Sequence, residues 1–114
     1  MSRAIESAII IGKLSQIETI LEDERLVERS YGVAEGLDID EAKSLYPLDA
    51  PVPERESPSS FHARIDDYID SVRTSIHSAV LIISHGEVIW TILQKYGHTD
   101  TYIETASFHK FELR

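Results

Sequence analysis

Three polar side chains, Arg3, Glu28 and His85, fall where secondary-structure elements are expected to begin or end. A cation, a carboxylic acid and an imidazole are the parts needed to hold a phosphoryl group and to protonate its leaving oxygen. Each also has a plainer reading. Arg3 fits a surface charge, as most arginines do. Glu28 stands among Asp23, Glu24, Arg25 and Arg29 and fits a solvated ion-pair cluster. Ser84-His85-Gly86 fits an ordinary strand-to-helix turn with an exposed histidine. The histidines, at 62, 77, 85, 98 and 109, never recur at i, i+3 or i+4, so no metal site is expected. Gly-x-Ser-x-Gly, Walker-type and Gly-x-Gly-x-x-Gly patterns do not occur, which leaves α/β-hydrolase, P-loop and dinucleotide chemistry without support.

These residues need elements to position them. Ala79 to Ile83 is a continuous apolar run without alternation, which predicts a strand buried on both faces. Open α/β sheets bind ligands beyond the carboxyl ends of such strands, and His85 would stand there. Gly86 beside it allows a ligand close to the backbone, and the helix start that follows favours anions. Upstream, Ile5, Ala8, Ile9 and Gly12 predict a helix over 2–13, with Gly12 as its stop, and a short strand is expected at 17–21. Asp38-Ile39-Asp40-Glu41 fits a capping box for a brief helix carrying Ala42, Leu45 and Tyr46, ended by Pro47.

Residues 47–60 hold all four prolines and predict an extended loop. Ser57-Pro58 then opens a helix whose stripe is Phe61, Ile65, Tyr68, Ile69, Val72 and Ile76. Val88, Ile89, Ile92, Leu93 and Tyr96 form another helix face, with Gly97 after the last turn. Ser107 to Leu113 alternates as a final strand, with Phe108, Lys110 and Glu112 on one face and His109, Phe111 and Leu113 on the other. The mixed order of helices and strands predicts an α/β domain.

A chain of 114 residues makes one small domain. Its net charge of −9 argues against nucleic acid or an anionic membrane as partner. The absence of cysteine rules out disulfides and thiolate metal sites. No apolar stretch reaches membrane-spanning length and no signal-peptide pattern opens the chain, so a cytoplasmic location is expected.

Taken in order, the motifs resemble the histidine phosphatase superfamily, also called phosphoglycerate mutase-like. Arg3-Ala4-x-x-Ser7-Ala8 resembles that family's Arg-Ala-x-x-Thr-Ala, whose arginine helps hold phosphate. Arg25-Leu26-Val27-Glu28, with Tyr31-Gly32 and Glu35-Gly36, is similar to its Leu-x-Glu…Gly…Glu-Gly run, whose first glutamate donates a proton. Glu56-Ser57, with Phe61 and Arg64, resembles the Gly-Glu-Ser…Arg region, and Ser84-His85-Gly86 the second catalytic histidine. The sequence departs from the pattern at Arg55, where the family has glycine, at Trp90, where a basic residue is common, and at Thr105 or Ala106, where it has asparagine. The short segment between Gly36 and Pro58 is closer to the compact phosphatases than to the mutases.

The family's opening Leu-x-Arg-His-Gly-Glu, which carries the nucleophilic histidine, has no counterpart here. Neither His62, His77, His98 nor His109 lies in an Arg-His-Gly context. The resemblance therefore implies residues 1–114 as the C-terminal portion of such a domain, an incomplete three-layer α/β sandwich missing its first central strand. It implies Glu28 and His85 as catalytic, Arg3, His85 and Gly86 as phosphate-binding, and no cofactor. In intact form such an enzyme hydrolyses phosphomonoesters through a phosphohistidine, while this chain alone is expected to be inactive. The alternative is a non-catalytic remnant that binds a phosphorylated small molecule or serves as an interaction module. Without the missing strand, Val80 to Ile83 would present an unpaired apolar edge, so self-association or pairing with an absent N-terminal segment is expected.

Overall fold

The computed structural model describes residues 2–47, 51–97 and 103–113. Among these, four helices carry the fold: α1 (Ser2–Leu14), α2 (Ile39–Leu45), α3 (Pro58–Arg73) and α4 (Gly86–Ile92). Two short 3-10 turns, Glu24–Leu26 and Gly32–Ala34, lie between α1 and α2, and α4 runs on into one π turn, Leu93–Gly97.

The local chemistry that the sequence encodes is largely present. The Asp38 carboxylate accepts from the Glu41 amide at 2.8 Å and opens α2. The Ser57 hydroxyl accepts from the Ser60 amide at 3.1 Å, and Pro58 takes the first helical position of α3, where no amide is missed. From there Phe61, Ile65 and Ile69 turn one buried face toward Val88 and Ile92 of α4. Full burial of side chains of this size contributes roughly 1.5–3 kcal/mol each. Leu26, Tyr68, Ile82, Tyr96, Phe111 and Leu113 pack around this nucleus. Polar ties brace its rim: Lys95 Nζ and the Tyr96 hydroxyl both reach Asp66 of α3, at 2.6 and 2.5 Å, and Arg25 reaches Asp67 at 2.7 Å.

Several expectations are corrected. Gly12 does not stop α1. It lies buried inside the helix, where the Ile17 amide donates to its carbonyl at 2.9 Å and the side chain of Ile20 covers it. Ile76 is not part of the α3 stripe, because the helix ends at Arg73 and Ile76 is 96% exposed. Thr74 and Ser75 end it: their hydroxyls donate to the carbonyls of Asp70 and Val72, which offers those carbonyls an alternative to another helical turn.

The three expected strands, at 17–21, 79–83 and 107–113, are not formed among the described residues. Backbone pairing there consists of one isolated antiparallel bridge, Tyr31 to Arg55. A strand exists only as a relation between two backbones, and no described backbone group bonds to residues 79–83. Nor is that run buried on both faces: Val80 is 42% and Leu81 47% exposed, while Ile82 packs on the core. The alternation at 107–113 does hold for burial, with His109, Phe111 and Leu113 half-buried and Phe108, Lys110 and Glu112 exposed.

Candidate functional site

The Ser84-His85-Gly86 turn is held from both ends. The Ser84 hydroxyl donates to the carbonyl of Leu26 at 2.6 Å, which ties it to the 3-10 turn before Glu28. His85 is the residue before α4, with extended backbone at φ −96° and ψ 159°. Past it, Glu87 occupies the first turn, where a carboxylate suits the helix dipole, and Val88 anchors the helix in the core. The buried Thr91 closes the turn, its hydroxyl donating to the Glu87 carbonyl at 2.8 Å.

Glu87 is the grip on the facing loop. Arg29 Nη1 approaches its Oε1 at 3.2 Å and the Tyr31 hydroxyl donates to its Oε2. Burial, followed by the Glu87 hydrogen bond, pushes the Tyr31 phenol above its usual range, so it stays protonated as the donor. Arg29 lies over the rings of Tyr31 and Phe61, at 5.6 and 5.8 Å, and Arg55 covers Tyr31 at 5.4 Å. A second clamp sits behind. Arg64 binds Glu56 through Nε at 2.8 Å and Nη2 at 3.0 Å, and donates to the carbonyls of Arg25 at 2.7 Å and Glu28 at 3.4 Å. Glu56 in turn accepts from the Ser30 amide at 3.4 Å.

The loop so held presents Glu28 to His85. Their Oε2 and Nδ1 atoms are 3.9 Å apart, an approach longer than a hydrogen bond. Glu28 is 64% exposed and His85 18%, so the carboxylate faces solvent and the imidazole is largely covered. The other ring nitrogen, Nε2, is buried without a hydrogen-bond partner. Glu28 makes no ion pair with the arginines around it in sequence: Arg25 turns to Asp23 and Asp67, and Arg29 to Glu87. At Gly86 the chain is open, since a Cβ there would meet nothing within 4 Å. An imidazole beside an exposed carboxyl group can exchange a proton with a ligand seated at this opening.

Arg3 is not brought to this pair. It is exposed on the first turn of α1, and its side chain makes no hydrogen bond or ion pair to a described residue. His62 and His77 are exposed, His109 is half-buried beside the Ser107 hydroxyl at 2.9 Å, and His98 lies outside the described residues. No group of three metal-ligating side chains occurs among the described residues. Sequence reasoning placed Arg29 in an ion-pair cluster around Glu28 and Tyr31 in a family motif, and missed that both meet Glu87. Arg29 and Glu87 meet across 58 positions, a separation that leaves no local pattern to read.

Comparison with known proteins decides the family. The histidine phosphatase superfamily (branch 1) model matches residues 1–103. The chain belongs to the histidine phosphatase superfamily. It is also 28% identical over 101 residues to a Hydrogenobacter thermophilus protein named "Putative phosphoserine phosphatase 2". That match covers 80% of this chain and 49% of the relative, so the chain spans about half the length of the curated relative it matches. No solved structure matches it. Membership places this histidine phosphatase chain in the α/β class, of which the described residues form helices and turns. None of these helices is long and apolar enough to cross a membrane.

Proposed function

We propose that this chain is the part of a phosphomonoesterase that supplies the proton donor and a charge-stabilising histidine. The 3.9 Å approach of Glu28 to His85, between elements 57 positions apart, is the observation that carries the reading. Glu28 protonates the leaving oxygen of a phosphomonoester, and its exposed carboxyl group can reach one. His85 offers positive charge to the equatorial oxygens when protonated, with the open backbone at Gly86 giving a phosphoryl group room. Arg3 is proposed as a third phosphate ligand on its position in the Arg-Ala motif alone, since its side chain makes no contact with the Glu28–His85 pair in the structure. Attack on phosphorus belongs to a histidine in an Arg-His-Gly setting, which none of His62, His77, His98 or His109 has. The chain by itself therefore binds phosphate weakly and turns over phosphomonoesters negligibly. The ester to try first is phosphoserine, after the name of the relative.

The neighbouring charges agree with weak binding. Arg29 and Arg64 are each paired with a carboxylate, Glu87 and Glu56, and the chain as a whole carries −9. Phosphate affinity in the millimolar range, near −4 kcal/mol, is what such a site can hold. Phosphate titration followed by histidine NMR tests this: the His85 ring shifts before those of the other four histidines. An unmoved His85 overturns the reading of a phosphate site. Robust hydrolysis of phosphoserine or an aryl phosphate that vanishes in His85→Ala overturns the proposed inactivity of the chain alone.

A further inference from the structure

The Glu28–His85 pair is flanked by a tie on each side. On one side the Ser84 hydroxyl, next to His85 in the chain, donates at 2.6 Å to the carbonyl of Leu26, which precedes Glu28. On the other side Glu87, which follows His85, takes Arg29 at 3.2 Å with one carboxylate oxygen and the Tyr31 hydroxyl with the other, and both of those residues follow Glu28. A single tie would leave the Glu28 loop free to pivot about it. Two ties on opposite sides of the pair fix the distance of that loop from the His85 turn.

The tie through Glu87 has a firm base at both ends. Its own backbone is held by the buried Val88 and by Thr91, whose hydroxyl donates to the Glu87 carbonyl at 2.8 Å. The Arg29 side chain is only 10% exposed: its guanidinium lies 5.8 Å from the centre of the buried Phe61 ring and donates to the Glu56 carbonyl at 3.2 Å. Side-chain length matters here. Any carboxylate in the first turn of α4 gains from the helix dipole, but only one that reaches Arg29 and Tyr31 holds the loop. Arg64 ties the same loop to α3 and not to the His85 turn. Glu28 and His85, 3.9 Å apart, are too distant to hold each other.

We infer that Glu87 is a positioning residue for the proposed phosphomonoesterase site: by joining Arg29 and Tyr31 to the turn after His85, its carboxylate sets the separation of the Glu28 carboxyl group from the His85 ring. The inference rests on the proposed function for its purpose, since proton donation to a leaving oxygen tolerates little misplacement, and about 1 Å can cost about 10²-fold in rate. Released from Glu87, the exposed Glu28 moves out toward solvent, and its charge then acts on the ring from farther away and through water.

NMR of the His85 ring nitrogens in the 114-residue chain reads this coupling at one fixed pH. Glu28→Gln removes the neighbouring charge and shifts those signals, and the size of that shift is compared between chains with and without the Glu87 carboxylate. In the Glu87→Gln background the effect of Glu28→Gln should fall at least about twofold, the comparison of differences cancelling any direct effect of Glu87 on the ring. Glu87→Asp keeps the charge and the dipole contribution but not the reach, and should uncouple the pair as well. Should the Glu87 variants not fold, Tyr31→Phe, which removes one hydroxyl from the same tie, decides by the same reading. An undiminished Glu28→Gln effect in the folded variants overturns the inference even where the urea midpoint has fallen, because Glu87 then serves stability alone. A His85 ring indifferent to Glu28→Gln in the otherwise unmodified chain overturns it too. Phosphate titration is a separate arm: if phosphate leaves His85 unmoved, the phosphate site fails, while the positioning role still stands or falls by the comparison of variants.

Discussion

Arg64 joins the Glu56 carboxylate to the loop that carries Glu28 through one guanidinium. Two nitrogens hold the Glu56 carboxylate at 2.8 and 3.0 Å, and donors on the same group reach the carbonyls of Arg25 and Glu28 at 2.7 and 3.4 Å. The planar fork makes this possible, because its donors point in fixed and different directions. The loop is thus tied to α3 through side chains, Arg64 and Arg25 among them.

Removing that fork should be costly. Both side chains are mostly buried, so Arg64→Ala leaves the Glu56 carboxylate and two carbonyls short of donors, at an expected cost of about 2–3 kcal/mol. Arg64→Lys keeps the charge and loses the bidentate geometry, and should recover less than half of that. Urea unfolding followed by the fluorescence of Trp90, the only tryptophan, measures both. In the folded Ala variant, amide exchange at Ser30 should accelerate, since Glu56 no longer holds that amide in place.

The same pair sets a pH dependence. Hydrogen bonding from Arg64, opposed by burial, holds the Glu56 carboxyl below its ordinary value of 4.5. A lowered folded pKa means that the unfolded chain binds the proton more readily, so stability falls as pH falls. The Glu56 contribution is complete above 4.5 and disappears as pH drops through the lower folded value. Asp23, held down by Arg25, adds to the same trend from an ordinary 3.8. Urea midpoints should therefore decline from about pH 6 to about pH 3, and Glu56→Gln should flatten the upper part of that decline.

Two glycines should respond oppositely to alanine. Gly32 has φ +60°, and a Cβ there would fall 2.1 Å from the Pro53 carbonyl oxygen and 2.5 Å from the Arg55 nitrogen, both backbone atoms. Gly32→Ala must move that chain and should lose at least about 2 kcal/mol. Gly86 opens α4 with free space around it, so Gly86→Ala should be neutral or gain a few tenths of a kcal/mol through helix propensity. Thermal melting of the two variants side by side checks the contrast.

What the sequence made legible follows the range of the interactions. Asp38 and Ser57 each satisfy a donor three residues away, and so both helix starts are readable in a short window. The Phe61, Ile65, Ile69 face is readable by its period. Glu28 and His85 came together through the order of family motifs, because nothing local links residues 57 apart. The Arg29–Glu87 and Tyr31–Glu87 contacts had neither a local pattern nor a place in those motifs. The run at 79–83 shows the other limit: apolar residues record a need for burial, while the partner that would meet it is not written in the run. At 107–113 the period of two was real for burial although no ladder forms there.

Ile69 and Ile76 test how far one stripe reads. They lie seven residues apart, a spacing that puts both on one helical face if the helix continues. It stops at Arg73, and Ile69 is fully buried while Ile76 is 96% exposed. Ile69→Ala deletes methyl groups from the centre of the α3–α4 contact and leaves a cavity that the surrounding helices fill only in part, for a loss of about 2–4 kcal/mol. Ile76→Ala removes side-chain atoms that touch little, and should stay within about 0.5 kcal/mol. Urea unfolding of both variants gives the comparison. A large loss at Ile76 would mean that this residue is covered in solution, which extends the buried face of the chain beyond the end of α3.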